Sequence, residues 1–287
     1  MNIDLGFYTG FHGFLLNNGA KATADFLHSH NISSAEICVS AGSSSRPVFP
    51  TLEDAEAVRR DLGDIKMFCF SAYGNLFTDD GDKTLNDLIY YVSVAKILGA
   101  KYFHHTIYPP LTINENSPTF DEVFAKVLPG VIKVARVANE QGLVPVYEPQ
   151  GCYFSTVDAL RRLLYAVRAE GLNAAIVLDL GNPFFSDTDP YDILKAFESD
   201  IVHVHIKDYK YITEAPSDKP KSMHVYKVDS GRMFIETIPG SGDVSVERCL
   251  RALKEMGYSG VYSSETSTGS AINDYIATRE YLERVDI

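Results

Sequence analysis

Eight short β-rich runs alternate with helical patterns along this chain, and that alternation narrows the available folds more than any other feature. The runs are NIDLGFY (2–8), AEICVS (35–40), KMFCFSAYG (66–74), KYFHHTIY (101–108), LVPVYEP (143–149), AAIVLDLG (174–181), IVHVHIK (201–207) and GVYSSE (260–265). Between them lie segments such as LNDLIYYVSVAKILG and FDEVFAKVLPGVIKVARVANEQG, whose apolar residues recur at helical spacing and whose ends carry glycine. Pro129 in the second segment is expected to kink it. Strands that each lead into a helix pair in parallel, and eight of them starting mostly about 30–40 residues apart fit a closed (β/α)8 TIM barrel better than an open sheet. A length of 287 residues suits one such α/β domain, spanning 1–287.

One interval breaks the rhythm. Between the seventh and eighth runs, MHVYKVDSGRMFIETIPGSGD holds two alternating stretches around DSGR. This predicts a β-hairpin inserted after strand seven, followed by a glycine-rich loop. An insertion there lies at the face where barrel active sites are built, placed to cover a pocket.

A formal net charge of −12, with no lysine or arginine run to offset it, argues against nucleic acid as a partner. The opening MNIDLGFYTGFHGF has no basic leader, and no apolar run approaches the roughly eighteen residues needed to span a bilayer. The expectation is a soluble, cytoplasmic protein with no membrane partner. Cys38, Cys69, Cys152 and Cys249 are far apart and read as small buried hydrophobes.

Barrel enzymes carry their chemistry at the C-terminal ends of the strands. Alternation puts Glu148 on the face of Val144 and Val146, Asp179 on that of Ala175 and Val177, His205 with His203, and Glu265 with Val261 and Ser263. Each carboxylate taken singly is compatible with a salt bridge or a helix cap. As a set, three carboxylates at one rim repel one another, and a divalent cation relieves that repulsion. Three oxygen ligands and one imidazole make a harder site than cysteine-rich zinc sites, which favours Mn²⁺, Mg²⁺ or Co²⁺ and leaves Zn²⁺ and Fe²⁺ compatible.

The ordered signature YEPQG, LDLGNP, HVHIKD, PGSGDV and YSSE resembles the sugar phosphate isomerase/epimerase family of the xylose isomerase-like TIM barrel superfamily. The resemblance covers essentially the whole chain and is most specific over residues 143–266. It implies that Glu148, Asp179, His205 and Glu265 hold the metal, with His203 either supporting a ligand from behind or filling the barrel. It also implies that Glu148 and Glu265 act as catalytic base and acid on opposite sides of a bound sugar. Asn182 stands where ketose 3-epimerases similar to the tagatose enzyme carry histidine, and where L-ribulose-5-phosphate 3-epimerases carry asparagine. A three-zinc site like that of endonuclease IV needs further histidines, and only His104 and His105 lie near enough to extend this one.

The implied activity is divalent-metal-dependent isomerisation or epimerisation of a sugar or sugar phosphate, of the ketose 3-epimerase type, through an enediolate. Inosose-type dehydration at the same metal site, or a non-catalytic carbohydrate-binding relative, are the alternatives. The expected partner is thus a small-molecule sugar or sugar phosphate, and a homo-oligomer is compatible with the sequence. His104, on the face of Thr106, is expected to contact substrate, as is Asn182. Lys207, on the face of His205, is placed to bind a substrate oxygen or to pair with a rim carboxylate. Tyr8, Glu36 and Tyr73, near the ends of early strands, are expected as pocket walls.

Overall fold

The computed structural model describes residues 4–42, 49–77, 81–217, 224–228 and 230–286. Strands β1 (Leu5–Phe7), β2 (Ser34–Ser40), β3 (Lys66–Tyr73), β4 (Tyr102–His105), β5 (Val144–Tyr147), β6 (Ala175–Asp179) and β7 (Ile201–Ile206) are followed by β8 (Asp208–Ile212), β9 (Val225–Lys227), β10 (Met233–Thr237) and β11 (Val261–Ser264). Eight of these close into a parallel barrel in the order β1-β11-β7-β6-β5-β4-β3-β2. Helices α1 (Phe11–Ser29), α2 (Leu52–Leu62), α3 (Gly81–Leu98), α4 (Phe120–Glu140), α5 (Val157–Ala169), α6 (Pro190–Ala196), α7 (Val246–Glu255) and α8 (Ala271–Arg284) lie between successive barrel strands and after the last. The (β/α)8 TIM barrel is therefore the fold. Residues 2 and 3 of the first expected run lie outside the described residues, as does Asp229 of DSGR.

The helices form where capping and burial agree. At the start of α4, Thr119 accepts a hydrogen bond from the Glu122 N–H, and the Glu122 carboxylate accepts the Thr119 N–H at 2.8 Å. The same helix buries Val123, Phe124, Val127, Val131, Val134, Ala135 and Ala138, one stripe at helical spacing. Pro129 lies inside this helix and does not end it. Among the described residues no helix is long and apolar enough to cross a membrane.

The barrel interior is layered. Its lower part is an apolar plug of Cys69, Tyr102, Val146, Ala175 and Val177, separate from the larger core between strands and helices. Buried polar side chains stand above the plug: Glu36, Ser71, His104, His203 and Ser263. Above these, at the C-terminal ends of the strands, come Glu148, Asp179, His205 and Glu265.

The insertion after strand seven is larger than the expected hairpin. β9 and β10 pair antiparallel as that hairpin, but β10 also pairs with β8, giving a three-stranded sheet in the order β8-β10-β9. Tyr211, Phe234 and Tyr226 lie abreast across it, and Phe234 contacts Phe184 and Phe185 of the turn after β6, with ring centroids 6.0 and 5.3 Å away.

Asp208 anchors the glycine-rich loop. Fully buried, it accepts the N–H groups of Gly240 at 2.8 Å, Gly242 at 3.0 Å and Val244 at 3.2 Å. A Cβ on Gly242 would lie 2.2 Å from the Asp208 Oδ1, which is why the loop needs glycine there. Asp208→Ala leaves three backbone donors unpaired and is expected to lower the unfolding free energy by about 1–3 kcal/mol. Urea denaturation reads the loss, and an unchanged midpoint would show that the loop holds itself.

Candidate metal centre

Period-two alternation and the closed register bring four side chains from four successive strands to one point. Asp179 ends β6 directly beside His205 of β7, and Ser263 of β11 is the His205 partner on the other side. Glu148 and Glu265 are the first residues beyond β5 and β11. His205 Nδ1 lies 3.0 Å from Glu148 Oε2, 3.0 Å from Glu265 Oε2 and 3.7 Å from Asp179 Oδ2. One ligand atom from each of the four residues falls within 4.8 Å of every other.

The turn after β6 sets the Asp179 carboxylate. Its Oδ1 accepts the N–H groups of Gly181 at 2.8 Å and Asn182 at 2.5 Å, and the second oxygen lies 3.7 Å from both His205 Nδ1 and Lys207 Nζ. A Cβ on Gly181 would meet Lys207 side-chain carbons at 2.8 Å, so the absent side chain lets Lys207 lie along the turn. Lys207 Nζ then donates to Glu265 Oε1 at 2.7 Å and to Asn182 Oδ1 at 3.3 Å.

Four buried atoms in this cluster have no hydrogen-bond partner among the described residues: Glu148 Oε2, Asp179 Oδ2, His205 Nδ1 and Glu265 Oε2. Buried polar atoms are normally paired, and these four converge on each other. The electrostatics reflect the crowding. Burial, reinforced by the Glu265 and Glu148 charges, outweighs Lys207 and pushes the Asp179 carboxyl well above its ordinary range. Burial also disfavours the Glu265 carboxylate, but Lys207 and His205 prevail and hold it below the usual value. Burial disfavours a charged His205, yet Glu36, Glu148 and Glu265 raise the imidazole well above its ordinary value. A divalent cation fits this donor set, since it would take the place of the shared protons and satisfy all four atoms.

The structure gathers most of the other expected residues around the four. His104 Nε2 lies 3.6 Å from Glu148 Oε1, whereas His105 pairs with the Thr106 carbonyl and packs against Tyr147. Asn182 Nδ2 is 3.5 Å from Glu148 Oε1, and the Tyr8 ring is centred 5.1 Å from that of His205. Tyr73 sits at the end of β3 with 49% of its surface exposed. Glu36 is a correction: it is not a pocket wall. β2 continues to Ser40, so Glu36 is third of seven residues and lies fully buried beneath the cluster, 2.8 Å from His203 Nε2.

Other polar groups here escape a reading of sequence alone. Gln150 donates to Glu148 Oε1 at 3.1 Å, a role hinted at only by its place in YEPQG. Glu236 on β10 accepts the Ser267 N–H at 2.7 Å, and burial pushes its carboxyl up to about 7 despite Lys207. Its position depends on the register of the inserted sheet, which no local pattern announces.

Residues 24–285 match the family described as xylose isomerase-like TIM barrel. Inosose dehydratase of Clostridium beijerinckii is 29% identical over 162 residues, 56% of this chain and 53% of that protein. The chain thus spans about half the length of the curated relatives it matches. A D-allulose 3-epimerase from Methylomonas sp. superposes with a TM-score of 0.71 at 13% identity, covering 99% of this chain and 98% of that one. An IOLI protein with a bound zinc atom superposes with a TM-score of 0.68 at 17% identity, covering 99% of this chain and 98% of that one. Identities this low establish a shared fold. The family match spans nearly the whole barrel, and the chain belongs to the xylose isomerase-like TIM barrel family.

Proposed function

We propose that this chain is a divalent-metal-dependent enzyme that moves a proton at the carbon beside a carbonyl in a sugar or sugar phosphate, in the manner of a ketose 3-epimerase. The observation that carries the reading is the convergence of four unpartnered, buried ligand atoms from Glu148, Asp179, His205 and Glu265. Mn²⁺, Mg²⁺ or Co²⁺ suits the three carboxylates and one imidazole best. When bound, the cation supplies Lewis-acid polarisation of the substrate's carbonyl and neighbouring hydroxyl, several kcal/mol of transition-state stabilisation.

The chain's own residues do the rest. Glu148 and Glu265 follow β5 and β11, with β6 and β7 between them, and so approach the mouth from different strands of the ring. One removes the proton from one face of the sugar, and the other returns a proton to the opposite face, inverting the carbon. Lys207, 2.7 Å from Glu265, keeps that carboxylate ionised and offers N–H groups to a substrate oxygen. Gln150 and Asn182 donate to Glu148 Oε1, so Oε2 is the oxygen left to the other three ligand atoms.

A second reading is dehydration of an inosose-type substrate, favoured by the names of the curated relatives. There the base takes the proton, the C–O bond of the β-hydroxyl breaks, and the neighbouring acid donates the proton that carries it off as water. The test is incubation with Mn²⁺ in D₂O against ketoses, ketose phosphates and inososes, followed by NMR. Deuterium at an inverted carbon supports epimerisation, and loss of water with a new double bond supports the second reading. If no substrate exchanges, the enzymatic proposal fails and a carbohydrate-binding role replaces it.

A further inference from the structure

Glu36 gathers more hydrogen-bond donors than any carboxylate in the metal cluster above it. Its Oε1 accepts from Ser71 Oγ at 2.6 Å, and its Oε2 accepts from Ser263 Oγ at 2.7 Å. His203 Nε2 lies 2.8 Å from Oε2, and His205 Nε2 lies 3.3 and 3.2 Å from the two oxygens. Local backbone irregularity helps to assemble this. The pairing of β2 with β3 slips between Ala35 and Ile37, a bulge at the level of Glu36, and two residues beyond it Ser71 turns inward.

An ionised carboxylate only accepts, so each ring nitrogen facing Glu36 must carry the proton. A histidine that binds metal is neutral and uses the nitrogen without the proton. We propose that Glu36 is a positioning residue: it fixes His205 as the Nε2–H tautomer and so turns the Nδ1 lone pair toward Glu148, Asp179 and Glu265. This rests on the metal-binding reading above.

The pattern extends to a third imidazole. Ser71 spends its one proton on Glu36, so the His104 Nδ1 found 3.0 Å from Ser71 Oγ must be the donor to that oxygen. His104 then presents an unprotonated Nε2, 3.6 Å from Glu148 Oε1, as an acceptor for a substrate hydroxyl. One buried carboxylate, placed on an early strand, thereby anchors three imidazoles on β4 and β7, directly or through Ser71.

Glu36, His203 and His205 are also close enough to hold a cation themselves. The hydrogen bonds decide against it. Both Glu36 oxygens are already occupied by hydroxyl and ring donors, whereas the four atoms above have none.

The experiment compares wild type, Glu36→Gln and Asp179→Asn. Calorimetric titration of metal-free protein with Mn²⁺ measures affinity and stoichiometry, and long-range ¹H–¹⁵N NMR of the Zn²⁺-loaded wild type reports the His205 tautomer. Glutamine removes the charge and replaces one accepting oxygen with an NH₂ donor, so the carboxylate's hold on the Nε2–H tautomer weakens and Mn²⁺ affinity should fall about 10–100-fold in Glu36→Gln. The wild-type spectrum should show a proton on His205 Nε2 and none on Nδ1. Normal Mn²⁺ binding by Glu36→Gln while Asp179→Asn has lost it overturns the positioning role and leaves the metal site standing. Normal binding by both variants overturns the metal site and the positioning role with it. Two Mn²⁺ per chain, with one lost in Glu36→Gln, also overturns it, as does a proton on His205 Nδ1. If Glu36→Gln does not fold, the wild-type tautomer decides alone.

Discussion

Glu265→Gln, saturated with Mn²⁺, should exchange deuterium into one epimer of the substrate and not into its mirror configuration at the reacting carbon. A positioned general base contributes about 10²–10⁴-fold, and an amide cannot accept the proton, so exchange from the face served by Glu265 should fall by that factor. The opposite epimer, served by Glu148, should still exchange, but with retention, because nothing waits on the other side to deliver a proton. Glutamine preserves the shape, and its carbonyl can still accept from Lys207, which now bonds Glu265 at 2.7 Å, so the fold should persist. Glu148→Gln should give the complementary pattern. Equal loss from both epimers with metal still bound would mean a single base, and unchanged exchange would remove Glu265 from acid/base work altogether.

The alternation of strands and helices was legible because each barrel strand is buried on both faces and each helix on one, and these leave distinct periodicities in the chain. The ends of strands five to eight were legible for a related reason. A charged residue following an apolar inward-facing pair, as Glu148 follows Val144 and Val146, can only emerge at the C-terminal rim. Glu36 was misplaced for another reason: the run AEICVS ends at Ser40, as β2 does, so Glu36 lies well before the strand's end. It stands in mid-strand, opposite histidines far along the chain, and only barrel closure brings them together. The inserted sheet shows the same limit: DYKYI alternates well, yet its pairing with Met233–Thr237 is set by a nonlocal register in which Tyr209 faces Glu236. For Lys207, sequence left open a substrate oxygen or a rim carboxylate as partner, and the geometry gives the pairing with Glu265.

Asp179→Asn should erase the thermal stabilisation that Mn²⁺ gives the wild type while leaving the metal-free protein at least as stable. Asparagine keeps the oxygen that accepts from Gly181 and Asn182, so the turn after β6 retains both of its hydrogen bonds. What it removes is a fully buried negative charge, one that burial and the neighbouring glutamates already disfavour. In metal-free protein that removal gives up the 3.7 Å contact with Lys207 but relieves the larger burial cost and the repulsion from Glu265 and Glu148. With metal the balance reverses, because a ligand present at about 1,000 times its dissociation constant stabilises the native state by roughly 4 kcal/mol. For a chain of this size each kcal/mol corresponds to about 2–4 °C, so the wild-type melting temperature should rise by roughly 10 °C with Mn²⁺ and the variant's hardly at all. A variant that still gains the full shift would show that the cation sits elsewhere. A variant destabilised without any metal would show that the Asp179 charge, and not just its shape, supports the barrel rim.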